Sequence, residues 1–405
     1  MLLAFLLACA KGALPEAVDR PLLFWEVQKG DKVSHLLGTC HVGVALDDAL
    51  PPPHNVAFAK ARVLVVEADL DFGNPTAMFS VIRSGGAAMS TRLAPGDWLA
   101  LSRAMREGVP APMLDRMPPW LAASMLPMMP AITAVAQGKG TMPMDLVATE
   151  RAKAAGVPVR TLETLQQQAS ILGEFDQLFL DQLHVTAPGA NAGTDEALAA
   201  FCREGDLSRA AQLFAAEDPT TAALLDRRNL AWAPTVLAEL EQGDALIAVG
   251  AGHMVGPTGL VAQAENAGFT VRQQRSSQAA PTGTFTSMNA GLPAAMAIDA
   301  SFAETRAKLA GGMSAQLCAE GQIVRTCFIA DEASCLSTVA ADTALCADQW
   351  ADQLANPDPA TFEALVGKVG GCAISGALID TLAEGNLGNA PMCEAITAAM
   401  SKIGQ

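Results

Sequence analysis

The chain contains no tyrosine, which removes one common catalytic acid, and only five histidines in 405 residues. Basic residues are in deficit: 26 Lys and Arg face 42 Asp and Glu, for a net charge of -16. An acidic surface of this kind argues against non-specific nucleic-acid binding. Nine cysteines are present, yet no two have the C-x-x-C spacing of a structural zinc site. The apolar stretch at the N-terminus, Met1 to Ala10, is too short to span a bilayer as a helix. What the chain does not lack is apolar residues. At 51% hydrophobic and 17% charged it has the composition of a folded protein and is too apolar for a disordered one. Its length allows two domains.

Two of the five histidines sit in segments of the same form, an apolar run followed by Gly-x-x-His. The first is Leu36-Leu37-Gly38-Thr39-Cys40-His41-Val42-Gly43, and the second Leu246-Ile247-Ala248-Val249-Gly250-Ala251-Gly252-His253. Each run reads as a short buried strand. Each glycine lets the backbone turn sharply or approach a neighbour closely. Each histidine then follows the strand, where α/β proteins usually build their sites.

The N-terminus, Met-Leu-Leu-Ala-Phe-Leu-Leu-Ala-Cys-Ala-Lys, reads as the end of a secretory apolar region. Leu6-Leu7-Ala8-Cys9 resembles a bacterial lipobox, in which Cys9 carries the lipid and attaches the protein to a membrane. No Lys or Arg precedes the run, and a frayed apolar terminus is the plainer alternative. Cysteine usage favours export: Cys318, Cys327, Cys335, Cys346, Cys372 and Cys393 cluster near the C-terminus as an even set. Such a set reads as three disulfides of undetermined pairing. Cys335 and Cys346, about three helical turns apart, share a face. Cys40 and Cys202 read as packed thiols.

Strand and helix patterns alternate up to a polar Ser/Pro/Gly-bearing segment, Gln273 to Gly283. Behind it the chain is rich in Ala and Leu with little strand signal. The expected organisation is a signal- or lipobox-like N-terminus (1–20), an α/β domain (21–273), a linker (274–284) and a smaller all-α, disulfide-bearing domain (285–405). Strands are predicted over 22–27 and 32–37 as a hairpin about Gly30-Asp31, then over 63–66, 157–162, 246–249 and 269–272. Helices are predicted over 165–185, 194–216, 219–242, 259–267 and 388–405, with a helical, Met-rich stretch between 74 and 155. Met113, Met117, Met125, Met128 and Met129 in that stretch read as core filling or as the lining of a pliable groove.

Three strand ends present His41, Glu67 and His253. Two imidazoles and a carboxylate form a common open site for Mn, Co or Zn, with positions left for water and substrate. Glu67 reads equally as a ligand or as the base that takes a proton from the bound water. Glu163 ends another strand and is the second candidate carboxylate, or else a charge at a helix N-terminus. Arg228 and Asn229 precede the second motif. The arginine suits a developing oxyanion and the asparagine the orientation of a ligand, although a surface pair is the plainer reading. Asp69 and Asp71 are candidates for holding a histidine N–H, and Asp145 for capping a helix. His35, His54 and His184 read as surface or satisfied histidines.

These segments, in this order, resemble the TraB/GumN family, which includes PrgY and the Tiki proteins. The resemblance rests on the two Gly-x-x-His motifs, Val65-Val66-Glu67-Ala68-Asp69, Met144-Asp145-Leu146, Val159 to Thr164 with Gln167 or Gln168, Arg228-Asn229 and Gly256 through Val271. It covers roughly residues 21–273. It implies an α/β fold with a central sheet and flanking helices, similar to erythromycin-esterase and ChaN-like proteins. It further implies a metal-dependent hydrolase that cleaves peptides or proteins, with His41, Glu67 and His253 at the metal and Arg228 and Asn229 as a further family pair; Glu67, Arg228 and Asn229 are then the expected catalytic residues, with Glu163 as a reserve base or ligand. The alternatives are a non-catalytic, pheromone-inhibitor-like protein that binds a peptide or metal, and a metal-free esterase-like hydrolase with His41 or His253 as base. A third is that the C-terminal domain acts as an adaptor and its removal leaves catalysis untouched. Cys40 stands where the family more often has an aliphatic residue. The C-terminal region lies outside the resemblance.

Overall fold

The computed structural model describes residues 19–40, 44–68, 86–129, 142–184, 200–209, 219–278, 300–384 and 390–394, with isolated positions between them. One sheet holds six strands: β1 (Arg20–Lys29), β2 (Lys32–Thr39), β3 (Val63–Val66), β4 (Val159–Thr161), β5 (Ala245–Gly250) and β6 (Thr270–Ser276). Their spatial order is β4-β3-β5-β2-β1-β6. β4, β3, β5 and β2 run parallel, whereas β1 is antiparallel to both β2 and β6. Parallel strands are covered on both faces, which is why Val63–Val66 and Ala245–Val249 read as unbroken apolar runs. The β1–β2 hairpin turns at Gly30, whose φ of 64° is the left-handed conformation that glycine adopts without strain.

The described residues form twelve α-helices of five residues or more: α1 (Val56–Lys60), α2 (Pro95–Met105), α3 (Ala111–Arg116), α4 (Pro119–Met125), α5 (Met144–Ala154), α6 (Leu165–Gly173), α7 (Asp176–Gln182), α8 (Pro219–Gln242), α9 (Leu260–Asn266), α10 (Ala300–Leu317), α11 (Glu332–Gln349) and α12 (Phe362–Glu384). The molecule is thus an α/β body followed by a helical, disulfide-bearing region. α8 spans the 219–242 stretch read from the sequence. The expected 165–185 helix is instead two helices, α6 and α7. The helix predicted over 194–216 and the last helix over 388–405 lie mostly outside the described residues. β6 continues to Ser276, pairing Arg275 with Pro21 and Ser276 with Arg20. The segment read as linker from 274 therefore begins as sheet: an edge strand needs only backbone partners, and its polar side chains hide it from a hydrophobic pattern.

Helices α2, α3 and α4 lie between β3 and β4 in sequence; α2 and α3 pack on the C-terminal helices, whereas α4 packs on α7. Leu345 and Cys372 join the core of Trp98, Leu101, Met105, Leu114 and Met117, and Leu99 packs with Cys346, Trp350 and Val369. Polar bonds cross the same junction. Trp98 Nε1 donates to Asp348 Oδ2 at 3.1 Å, and Arg116 Nη2 donates to Asp342 Oδ1 at 3.1 Å and to Asp380 Oδ2 at 2.8 Å. Of the methionines, Met117 and Met129 are buried in this core, as core filling requires, and Met113 and Met125 pack against it. α12 is long and apolar enough to cross a membrane. About a third of that apolar stretch is buried, with Val369, Ala373 and Ala377 packed against neighbouring helices.

The six C-terminal cysteines form three disulfides, Cys318–Cys335, Cys327–Cys393 and Cys346–Cys372. A fourth joins Cys40 to Cys202 across 162 residues. It corrects the reading of those two as packed thiols. Cys40 directly follows the first motif's strand and Cys202 lies on a distant helical segment, so no local spacing pairs them. Four disulfides are compatible with an exported protein.

Candidate functional site

The site forms where the parallel strands end, the edge of the sheet at which open α/β folds bind ligands. Thr39 of β2 lies opposite Gly250 of β5, and Val66 of β3 lies beside Ala248 of β5 and Thr161 of β4. Glu67 and Glu163 therefore leave adjacent strands together, and the Glu163 N–H donates to the Glu67 carbonyl at 2.9 Å. The two motif glycines serve close approach. A Cβ on Gly38 would meet Ala251 Cβ at 3.1 Å, so the first motif makes room for the second. A Cβ on Gly250 would meet Glu67 Oε1 at 3.0 Å, where that oxygen now accepts the Gly250 N–H at 2.7 Å.

Glu163 sits one residue ahead of the α6 N-cap. Thr164 caps that helix, accepting from the Gln167 N–H while the Gln167 side chain accepts from the Thr164 N–H. With the cap supplied by Thr164, the Glu163 side chain turns inward and is buried. Helix α8 brings Arg228, Asn229 and Trp232 to the same place, since residues three and four apart share a helix face.

Arg228 is the hub. Its Nη2 donates to Glu67 Oε2 at 2.6 Å and to Glu163 Oε1 at 2.5 Å, its Nε faces Glu163 Oε2 at 3.5 Å, and its Nη1 donates to His253 Nε2 at 3.0 Å. Burial alone would push the Arg228 pKa down, but the charges of Glu67 and Glu163 and their hydrogen bonds offset this and hold it above its ordinary value. A guanidinium can only donate, so His253 Nε2 is bare and the ring proton is on Nδ1. That proton is donated to Asn229 Oδ1 at 2.7 Å. His253 is therefore the neutral Nδ1–H tautomer, and its Nε2 lies 3.8 Å from Glu67 Oε1. Asn229 Nδ2 is buried and has no hydrogen-bond partner among the described residues. The site is closed on most sides: His253, Asn229, Arg228 and Glu163 are all buried, and the Glu67 side chain is the most open at 19% exposed.

Five of the sequence-derived candidates thus come together: Glu67, Glu163, Arg228, Asn229 and His253. His41 lies outside the described residues, as do Asp69 and Asp71, although the chain leads to His41 from the end of β2 beside Gly250. Asp145 falls in the first turn of α5, two residues beyond its N-cap Pro143. The remaining histidines stand apart: His35 stacks on Phe24, His54 Nε2 meets the Arg275 carbonyl at 3.0 Å, and His184 Nδ1 meets Asp97 at 2.7 Å. Trp232 is the site residue that sequence reasoning missed. Its signal was its place one helical turn beyond Arg228-Asn229.

Among the described residues no three side chains already stand as a metal cluster. The donor chemistry nonetheless fits a divalent cation. An imidazole nitrogen, in the tautomer that exposes Nε2, stands beside a carboxylate, and two carboxylates share one guanidinium. Two ligands of a tetrahedral ion lie about 3.3 Å apart, given metal–ligand bonds of about 2.0–2.1 Å, and the 3.8 Å between His253 Nε2 and Glu67 Oε1 is half an ångström wider. A cation on Nε2 would replace the Arg228 Nη1 hydrogen bond.

No curated protein and no solved structure matches the chain. The model of the TraB/PrgY/gumN family matches residues 23–273, which take in every strand but the ends of β1 and β6 and all five of the clustered side chains. By that match over more than half its length, the chain belongs to the TraB/PrgY/gumN family.

Proposed function

We propose that the protein is a metal-dependent hydrolase of peptide bonds, with His41, Glu67 and His253 as the metal ligands. The observation that supports this most is the fixed tautomer of His253: Asn229 takes the Nδ1 proton, so Nε2 faces Arg228 and Glu67 as a donor atom. When bound, a Mn, Co or Zn ion lowers the pKa of its water toward neutrality and polarises a carbonyl. The protein's own residues do the rest. The Gly250 N–H and Arg228 fix the two oxygens of Glu67, so the carboxylate is oriented before substrate arrives. Glu163 holds Arg228 from the other side and is the reserve base. Arg228 has five N–H donors, and one on Nη1 has no bond to a described residue. That N–H and Asn229 Nδ2 are the donors for a substrate carbonyl oxygen. The disulfides support an exported protein, with Cys9 as its lipid attachment point.

The test is hydrolysis of a fluorogenic peptide pool by the full chain, with and without a chelator, beside Glu67→Gln. Chelator-sensitive cleavage lost in the variant supports the proposal. Metal binding without cleavage supports the binding-protein alternative, and cleavage that survives the chelator overturns the metal mechanism in favour of a metal-free base.

A further inference from the structure

Trp232 touches three of the five clustered side chains, and nothing in the family motifs points to it. Its indole lies 4.5 Å from the Arg228 guanidinium, and its ring centroid is 4.5 Å from that of His253 at an interplanar angle of 45°. Its Nε1–H donates to Glu163 Oε2 at 3.2 Å. The residue is 3% exposed, so these contacts are made away from water, where cation–π attraction and hydrogen bonds count for more. The bond to Glu163 matters because of how that carboxylate is shared. Oε1 receives the short Arg228 bond, whereas Oε2 receives only the 3.5 Å Nε contact and the indole N–H. Without the indole N–H, Oε2 is a buried carboxylate oxygen with no good donor, and the carboxylate must turn toward Arg228 to find one. Arg228 would then be drawn toward Glu163 and away from Glu67 and His253.

We infer that Trp232 is a positioning residue: its N–H locks Glu163, its face supports Arg228 and His253, and together they hold Glu67 and His253 Nε2 side by side, 3.8 Å apart. The inference rests on the metal-site reading above. Phe keeps a ring at this position and loses the N–H; Leu loses both.

The experiment uses the full chain and three variants, Trp232→Phe, Trp232→Leu and His253→Gln. Mn²⁺, Co²⁺ and Zn²⁺ are each titrated calorimetrically, melting temperature is recorded, and the imidazole Nδ1–H resonance, assigned by its loss in His253→Gln, is followed by proton NMR. Substitution beside a metal's ligands typically weakens affinity 10- to 100-fold. The expected result is about a 10-fold loss of metal affinity in Trp232→Phe with the melting transition retained, and a larger loss in Trp232→Leu with the Nδ1–H resonance broadened or gone. Unchanged affinity in Trp232→Phe together with an unchanged Nδ1–H resonance in Trp232→Leu overturns the inference. If the wild-type chain binds none of the three metals, the metal reading falls, and the imidazole resonance alone decides whether Trp232 positions His253. Should Trp232→Leu fail to fold, the Phe variant carries the test.

Discussion

Replacing Arg228 by Met is the most informative single perturbation of the cluster. The side chain is 7% exposed and pairs with Glu67 at 2.6 Å and Glu163 at 2.5 Å. Met keeps much of the volume and removes the charge, leaving two carboxylates that were desolvated in the expectation of a cation. Removing one partner of a buried pair costs about 3–5 kcal/mol. At about 2–4 °C per kcal/mol for a domain of this size, the melting temperature falls by roughly 6–20 °C. The loss has a definite pH dependence. Without the guanidinium two buried carboxylates stand close together uncompensated, and burial beside a like charge favours the protonated form. A buried carboxylate that holds its proton more tightly in the fold destabilises it fully at high pH, and that penalty fades as pH falls through the folded value toward the unfolded one. Arg228→Met is therefore weakest near pH 7.5 and recovers toward pH 5. A second change isolates the cause: Arg228→Met/Glu163→Gln removes one of the stranded charges and regains about 1 kcal/mol or more over Arg228→Met, a coupling typical of groups in contact. Thermal melts of the three proteins at the two pH values provide the assay. A loss below about 1 kcal/mol, equal at both pH values, would mean that Arg228 is not the counter-charge of this cluster and would refute the reasoning.

Asp342 supplies a second pH signature. Burial lifts its pKa to about 6, against the opposing pull of Arg116. The folded chain then binds more protons than the unfolded one between the unfolded value and about 6, so stability falls as pH rises through that window, by on the order of 3 kcal/mol. Asp342→Asn should flatten this limb in urea melts taken from pH 4.5 to 7.5, and a limb of unchanged slope would remove Asp342 as its source. Removing residues 284–405 strips the partners of Trp98, Arg116 and the apolar face of α2 and α3. The truncated chain is expected to bind a hydrophobic dye or precipitate, and a soluble chain with unchanged hydrogen exchange over 95–125 would show that the middle helices need no C-terminal support. Cys40→Ser/Cys202→Ser removes a loop constraint of 162 residues. Thermal melts should show a stability loss of about 2–5 kcal/mol, and no loss would mean the bridge does not form in solution.

Much of the site was legible because strand ends leave local signatures. An apolar run that stops at Glu67, another that stops at Glu163 and the two Gly-x-x-His segments each announce a turn at a sheet edge. Gly250 could be read as a close approach, but not what approaches it, since Glu67 comes from a strand 183 residues earlier. The order β4-β3-β5-β2-β1-β6 was hidden for the same reason: every parallel pairing joins segments far apart in sequence. Glu163 had two readings until Thr164 was seen to cap α6, which turns the carboxylate inward. Trp232 carried only its spacing from Arg228, and an aromatic at that spacing is usually core. The docking of α2 and α3 on the C-terminal helices was also hidden, because apolar helix faces do not name their partners.

The central claim is tested most directly by the metal content of the purified full chain beside His253→Ala. The account predicts about one divalent ion per chain in the wild type and its loss in the variant, with the fold retained by circular dichroism. A wild-type chain that carries no ion, or a His253→Ala chain that carries as much as the wild type, would contradict it.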